Sequence, residues 1–223
     1  MKSPRLPPAL LALTPGVLRP AQFDAFLERV RAAVSAGLSG VLLREPGLSD
    51  RAFGELGQRL KVVLASSERE GWLGLHDRCH LARPLGAEGV HLGFRSLRPG
   101  EARTIVGADI AIGCSTHEGD ARDHWKGAEY RVFGPFGEVP GKTHPRSPVG
   151  ADGLRSQVRE HSIPTWALGG VSPADVRSIV ACGAHGVAVL SGILGIAEAA
   201  GVERATSAYL RALDTSFEGE GAA

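Results

Sequence analysis

The sequence predicts a single-domain α/β protein of the (β/α)8 TIM-barrel type, and three observations lead there. Short apolar runs recur eight times along 223 residues, most followed by a longer segment that mixes polar and apolar residues. The runs are often continuous, not alternating, as in parallel strands covered on both faces. A Gly-x-x-Gly-Val phrase returns at AGLSGVLL, LGAEGVHL and CGAHGVAV, where it reads as a helix stop followed by a strand start. Strand–helix alternation closes into a parallel sheet with right-handed crossovers. Eight repeats in so short a chain fit a closed barrel better than an open sheet, which would carry a glycine-rich nucleotide turn after its first strand. Thr14-Pro15-Gly16 is not such a turn.

The expected strands are Ala9–Thr14, Val41–Glu45, Trp72–Asp77, Gly89–Gly93, Ile110–Ser115, Tyr130–Pro135, Pro164–Gly170 and Gly186–Gly192. Between the first two, Ala21–Ala36 reads as a helix with Phe23, Phe26, Leu27, Val30, Ala33 and Val34 on one stripe. Ser49–Ser66 is the next helix. Pro173–Cys182 is another, with Ser172 as N-cap and Pro173 at the first helical position. One barrel is expected across residues 1–223, with the lead-in 1–8 and the tail 214–223 poorly ordered.

Composition narrows the function classes. The net charge of +1 gives no argument for nucleic acid or an anionic membrane surface. No apolar run reaches the roughly 18 residues of a membrane span, and prolines break up the first apolar stretch, which reads as a lead-in and not a signal peptide. Cys79, Cys114 and Cys182 are odd in number and far apart, as expected of reduced, buried thiols in a cytoplasmic protein.

In a barrel the carboxyl ends of the strands form the working face. Here they carry Arg44-Glu45, His76-Asp77-Arg78, His91-Leu92-Gly93, Ser115-Thr116-His117, Gly134-Pro135, Gly169-Gly170-Val171 and Leu190-Ser191-Gly192. The last two turns suit phosphate: Gly169, Gly170 and Gly192 allow backbone N–H groups to approach an anion, and Ser191 adds a hydroxyl. The same glycines would equally serve tight turns alone. Asp77 is placed to hold Mg²⁺ or take a proton, or else to pair with Arg44 or Arg78. His76 and His80 share the spacing of a zinc helix, but one ends a strand and the other follows it, so they point apart. His117 is a proton carrier or a helix cap, and His91 is an interior, hydrogen-bonded residue. The loop Phe136–Gly150, with Lys142, His144 and Arg146, is either a cover for an anionic substrate or a basic surface loop.

The ordered pieces LLREP, LHDR, LGAEGVHLG, IGCSTH, EYRVFGP, ALGGVSPADV and CGAHGVAVLSGI resemble the thiamine phosphate synthase/TenI family from Leu10 to about Leu213. The resemblance implies phosphate binding at Gly169, Gly170, Ser191 and Gly192. Synthases of that family join a pyrimidine pyrophosphate to a thiazole phosphate with Mg²⁺. Their QLREK, NDR and HLGQED patterns meet Leu42, Pro46, His76 and Ser96 here, while Arg44, Asp77 and Lys142 are kept. Each missing charge-assisted contact is worth on the order of 1.5–3 kcal/mol. The expectation is therefore the thiazole tautomerase branch, which moves a proton and needs no pyrophosphate clamp. Its GCSVH resembles GCSTH, although many synthases also carry STH.

On that expectation His117, Asp77 and Lys142 are catalytic, and Arg44, His76, Ser115, Gly169, Gly170, Ser191 and Gly192 bind substrate. No cofactor is needed. The alternatives are a divergent synthase with Mg²⁺ on Asp77, and a non-catalytic paralogue that binds thiazole or thiamine phosphates. The expected partner is a small phosphorylated heterocycle, with a homodimer as the assembly.

Overall fold

The computed structural model describes residues 3–139 and 146–220. Eight parallel strands close into a barrel in sequence order: β1 Leu10–Leu13, β2 Gly40–Leu43, β3 Trp72–His76, β4 Gly89–Leu92, β5 Ala111–Thr116, β6 Tyr130–Phe133, β7 Thr165–Leu168 and β8 Gly186–Val189. Strand β8 returns to β1 with Leu10 opposite Val187 and Ala12 opposite Val189. The helices are α1 Phe23–Ser35, α2 Asp50–Leu64, α3 Cys79–Ala82, α4 Pro99–Val106, α5 Gly150–Glu160, α6 Val176–Val180 and α7 Ala199–Glu220.

The α1 stripe is buried as its spacing predicts, and Gly37 and Gly183 carry the positive φ that ends the preceding helix. Pro173–Cys182 is shorter and less regular than expected, with a 3-10 turn over Pro173–Asp175 before α6. Its cap runs the other way: the Asp175 carboxylate accepts both the N–H (2.8 Å) and the hydroxyl (2.6 Å) of Ser172. Between β5 and β6 there is only a 3-10 turn, Arg122–His124. Helix α7 continues through Glu220, into the stretch expected as a frayed tail.

The barrel interior is filled, not open. Leu11, Leu13, Leu42, Trp72, Ala111, Tyr130, Val132, Trp166 and Ala188 form one cluster inside it. The large rings fit because neighbouring strands present glycines: Trp72 occupies the space where Gly74 and Gly89 lack a Cβ, and Tyr130 does so at Gly113. Tyr130 meets Trp72 and Trp166 edge-on, with centroids 6.1 and 5.5 Å apart. The lead-in closes the bottom of this core. Arg5 and Pro8 carbonyls each accept an indole N–H at 2.9 Å, from Trp72 and Trp166, so this segment has a fixed role that the expectation of a loose terminus missed.

Because Tyr130 already occupies the site of a Gly113 side chain, Gly113→Ala over-packs the barrel. We expect it to cost about 1–3 kcal/mol, lowering the melting temperature by roughly 2–4 °C for each kcal/mol. Thermal unfolding of the two proteins checks this; an unchanged midpoint contradicts the packing account.

Candidate active site

The carboxyl end of β2 sets one wall. Glu45, expected at the strand end, lies just beyond it and is 1% exposed. Its two carboxylate oxygens accept the N–H groups of Gly16 and Leu18, each at 2.8 Å. It thus supplies the acceptors that the Thr14-Pro15-Gly16 turn lacks and fixes the β1–α1 loop. Its neighbour Arg44 donates its backbone N–H to Thr14 Oγ1 at 2.8 Å and lays its guanidinium beside Gly16, Nη1 standing 2.9 Å from where a Cβ would be.

The β3 and β4 ends form a second group. Asp77 adopts a left-handed backbone, φ 62°, uncommon outside glycine and tolerated by Asp. Its Oδ2 faces His76 Nδ1 at 3.2 Å, and Ser96 donates its hydroxyl to Oδ1. Ser96 Oγ in turn accepts the Gly93 N–H at 2.6 Å. Burial pushes the Asp77 carboxyl up, but the hydrogen bonds from His76 and Ser96 outweigh it and hold the group at about 2. Asp77 is therefore ionised at neutral pH. Arg78 turns away to Asp50, 2.9 Å, and over the Phe53 ring, and His80 also pairs with Asp50 at 2.8 Å. The two histidines of HDRCH do point apart. Among the described residues no group of three or more His, Cys, Asp or Glu side chains is arranged to hold a metal ion.

The β5 end lies at the centre. Ser115 Oγ sits 2.9 Å from Nε2 of the buried His91. Burial drives the His91 imidazole down to about 3, so this ring is neutral. His117 follows, with Asp120 Oδ2 accepting its backbone N–H at 2.8 Å and lying 3.3 Å from Nδ1. Asp120 thus orients the ring and caps the turn, so the capping side chain here is Asp120 and not His117.

The β6 and β7 ends are tied to each other. Phe136 and Gly137 donate their N–H groups to the carbonyls of Leu168 and Gly169 at 2.9 and 2.8 Å. Gly134–Pro135 is a cis peptide. Gly169 and Gly170 have φ of 90° and 64°, and a Cβ on Gly170 would strike the backbone of Gly137 and Glu138. Among the described residues, no acceptor takes the N–H of Gly170, Val171 or Gly192. These donors follow β7 and β8, with Ser191 immediately before Gly192.

Two cavities open on this face. The larger, about 180 Å³, has Ser115, His117, Arg146 and Gly169 among its polar lining and Val132, Val139 and Leu168 on its apolar side. The smaller, about 100 Å³, joins Ser96, Ser115, Asp120 and His124 with the exposed Phe94. Ser115 belongs to both. Arg44, His76, Asp77, Gly170, Ser191 and Gly192 lie on neighbouring strand ends without lining either cavity, though Asp77 touches the smaller one through Ser96. Lys142 lies outside the described residues. Sequence reasoning did not single out Asp120, whose only signal was its place three residues after His117, nor Ser96 as a partner of Asp77.

A family model described as thiamine monophosphate synthase matches residues 15–193. A putative thiamine-phosphate synthase of Geobacter sulfurreducens is 36% identical over 168 residues, 74% of this chain and 78% of the relative. A thiamine-phosphate synthase of Salinispora arenicola is 35% identical over 190 residues, 82% and 88% of the two chains. The solved thiamine phosphate pyrophosphorylase of Pyrococcus furiosus shares the fold at a TM-score of 0.76 and 23% identity, covering 93% of this chain and 96% of its own. The eight-stranded barrel, the order of its strand-end residues and the extent of these matches place the chain in the thiamine monophosphate synthase family.

Proposed function

We propose that this chain is a transferase that joins hydroxymethylpyrimidine pyrophosphate to a thiazole phosphate, forming thiamine phosphate and releasing pyrophosphate. This departs from the tautomerase expectation. The observation that carries it is the pair of adjacent cavities sharing Ser115: a joining reaction needs two heterocycles side by side, and a one-substrate proton transfer does not. The synthase names of relatives at about 35% identity support it further.

In this reading the thiazole lies in the larger cavity against Val132 and Leu168, and its phosphate takes the free N–H groups of Gly170, Val171 and Gly192 with the Ser191 hydroxyl. The pyrimidine lies across Ser115, its pyrophosphate toward Arg44 and Asp77. The ring nitrogen of the thiazole bonds to the pyrimidine methylene carbon as the carbon–oxygen bond to pyrophosphate breaks. Asp77 fits a Mg²⁺ site of one carboxylate completed by substrate phosphates; the ion would neutralise charge on the departing pyrophosphate. Arg146, facing the larger cavity, adds a positive charge to a site where Pro46 and Ser96 replace the family's lysine and second acid. The family resemblance adds Lys142, outside the described residues, to the groups that would meet the pyrophosphate. The place of work is the cytoplasm; among the described residues no helix is long and apolar enough to cross a membrane.

A second reading rests on one observation. His117, held by Asp120, lines the larger cavity beside Gly169, where an imidazole can take and return a proton on a single thiazole phosphate.

Purified protein given both substrates and Mg²⁺ is expected to form thiamine phosphate at roughly 0.1–10 s⁻¹, and Asp77→Asn to lose at least about 100-fold. No thiamine phosphate, with isomerisation of the carboxythiazole tautomer that His117→Ala abolishes, would overturn the transferase reading for the tautomerase. Binding of thiazole phosphate with neither product leaves only a non-catalytic paralogue.

The Asp77 assignment has its own check. Its folded pKa lies below the unfolded value, so its contribution to stability is full above about pH 4 and is lost as the pH falls through about 2. Carboxyl NMR titration should give a midpoint at about 2, moving upward in Ser96→Ala. A midpoint near 4 in the native protein contradicts the hydrogen-bond account.

A further inference from the structure

Behind Ser115 lie two buried polar side chains that the reaction above does not use, His91 and Tyr130. His91 is 2% exposed, inside the barrel, with its ring between those of His76 and Tyr130 at centroid distances of 6.0 and 5.7 Å. Its Nε2 meets Ser115 Oγ at 2.9 Å. Two atoms of these neighbouring rings have no partner among the described residues: His91 Nδ1 and the Tyr130 hydroxyl, both fully shielded from solvent. Buried polar atoms left without a partner cost free energy, and interior waters commonly serve such pairs.

The phenol fixes the direction of hydrogen bonding. Tyr130 lies in an apolar cluster that pushes its ionisation well up, so the hydroxyl keeps its proton, and that proton has no other acceptor among the described residues. His91 is neutral and carries one ring proton. The titratable or charged groups that face it are His76 and Asp77 from the β3 end, Arg44 beyond β2 and Tyr130 from β6. A donor arriving at Nδ1 requires that nitrogen to be bare, which places the proton on Nε2. Nε2–H then donates to Ser115 Oγ, and the serine's own hydrogen is left to point away from His91, into the space shared by the two cavities.

We propose that Tyr130, one buried water and His91 form a directed hydrogen-bond line that sets Ser115 as a donor toward an acceptor atom of the bound ligand. His91 and Tyr130 are then positioning residues acting through Ser115. The ligand they favour presents a heterocycle nitrogen or an anionic oxygen at the partition between the cavities. Only the use of the donor on substrate rests on the transferase reading; its direction does not.

The direction is read without substrate. In the full chain labelled with ¹⁵N-histidine, long-range ¹H–¹⁵N correlation should show His91 as the Nε2–H tautomer from pH 5 to 8, its signals identified by their loss in His91→Gln. Tyr130→Phe should shift the population toward Nδ1–H. A native His91 that is mainly Nδ1–H, or that titrates in this range, overturns the proposal whatever the enzyme assay gives.

The positioning role is read by a double-mutant cycle on thiamine phosphate formation. His91→Leu should lower kcat by about tenfold, the scale of one ordinary hydrogen bond, with KM nearly unchanged. His91→Gln, which keeps a donor near the Nε2 position, should recover most of that loss. In a Ser115→Ala background His91→Leu should cost less than about twofold. Equal losses in both backgrounds, or no rescue by glutamine in a folded variant, would show a packing role only and overturn the assignment.

Discussion

The filling of the barrel by three aromatic rings is the constraint on which the rest depends. Trp72 and Tyr130 fit because Gly74, Gly89 and Gly113 leave room on adjacent strands, and Trp166 packs edge-on against Tyr130. This packing makes the barrel a solid core with a floor, since both indoles are tied to the lead-in backbone. It also sets the height of the working face. Immediately above the rings the interior positions become His76, His91 and Ser115, the first polar layer, and the strand ends open directly onto it.

That layer has a consistent electrostatic plan. Asp77 keeps its charge through His76 and Ser96, while the fully buried His91 is neutral because burial denies it a proton. Positive charge is placed at the rim, on Arg44 and Arg146. Between them lie uncharged donors: the Ser115 hydroxyl and the unclaimed N–H groups at the β7 and β8 turns. On the proposed function, these donors would hold the anionic groups of the substrates without a large net charge, in keeping with a chain whose total is +1.

Much of the fold was legible because parallel strands buried on both faces leave continuous apolar runs, and because the Gly-x-x-Gly-Val phrase marks the same junction three times. The strand ends followed, and with them Arg44, Asp77, Ser115, His117 and the two glycine turns. Other features depend on closure and could not be seen in one dimension. Ser96 reaches Asp77 across 19 residues and His91 reaches Ser115 across 24, pairings that exist only once neighbouring strands are in register. Glu45 looked like one more strand-end acid, whereas the β1–α1 turn consumes both its oxygens. The missing charges at Pro46 and Ser96 weighed toward the tautomerase branch, but a count of lost residues says nothing about whether the remaining space holds one ring or two.

That question, two ligands or one, is the centre of the account. The most direct measurement is equilibrium binding of a thiazole phosphate to the full chain already saturated with a non-hydrolysable analogue of the pyrimidine pyrophosphate and Mg²⁺, followed by calorimetry. Two cavities meeting at Ser115 predict that both ligands bind together, one of each per chain, and that Gly170→Ala weakens the thiazole phosphate alone. Mutual exclusion of the two ligands, each displacing the other at a single site, would contradict it.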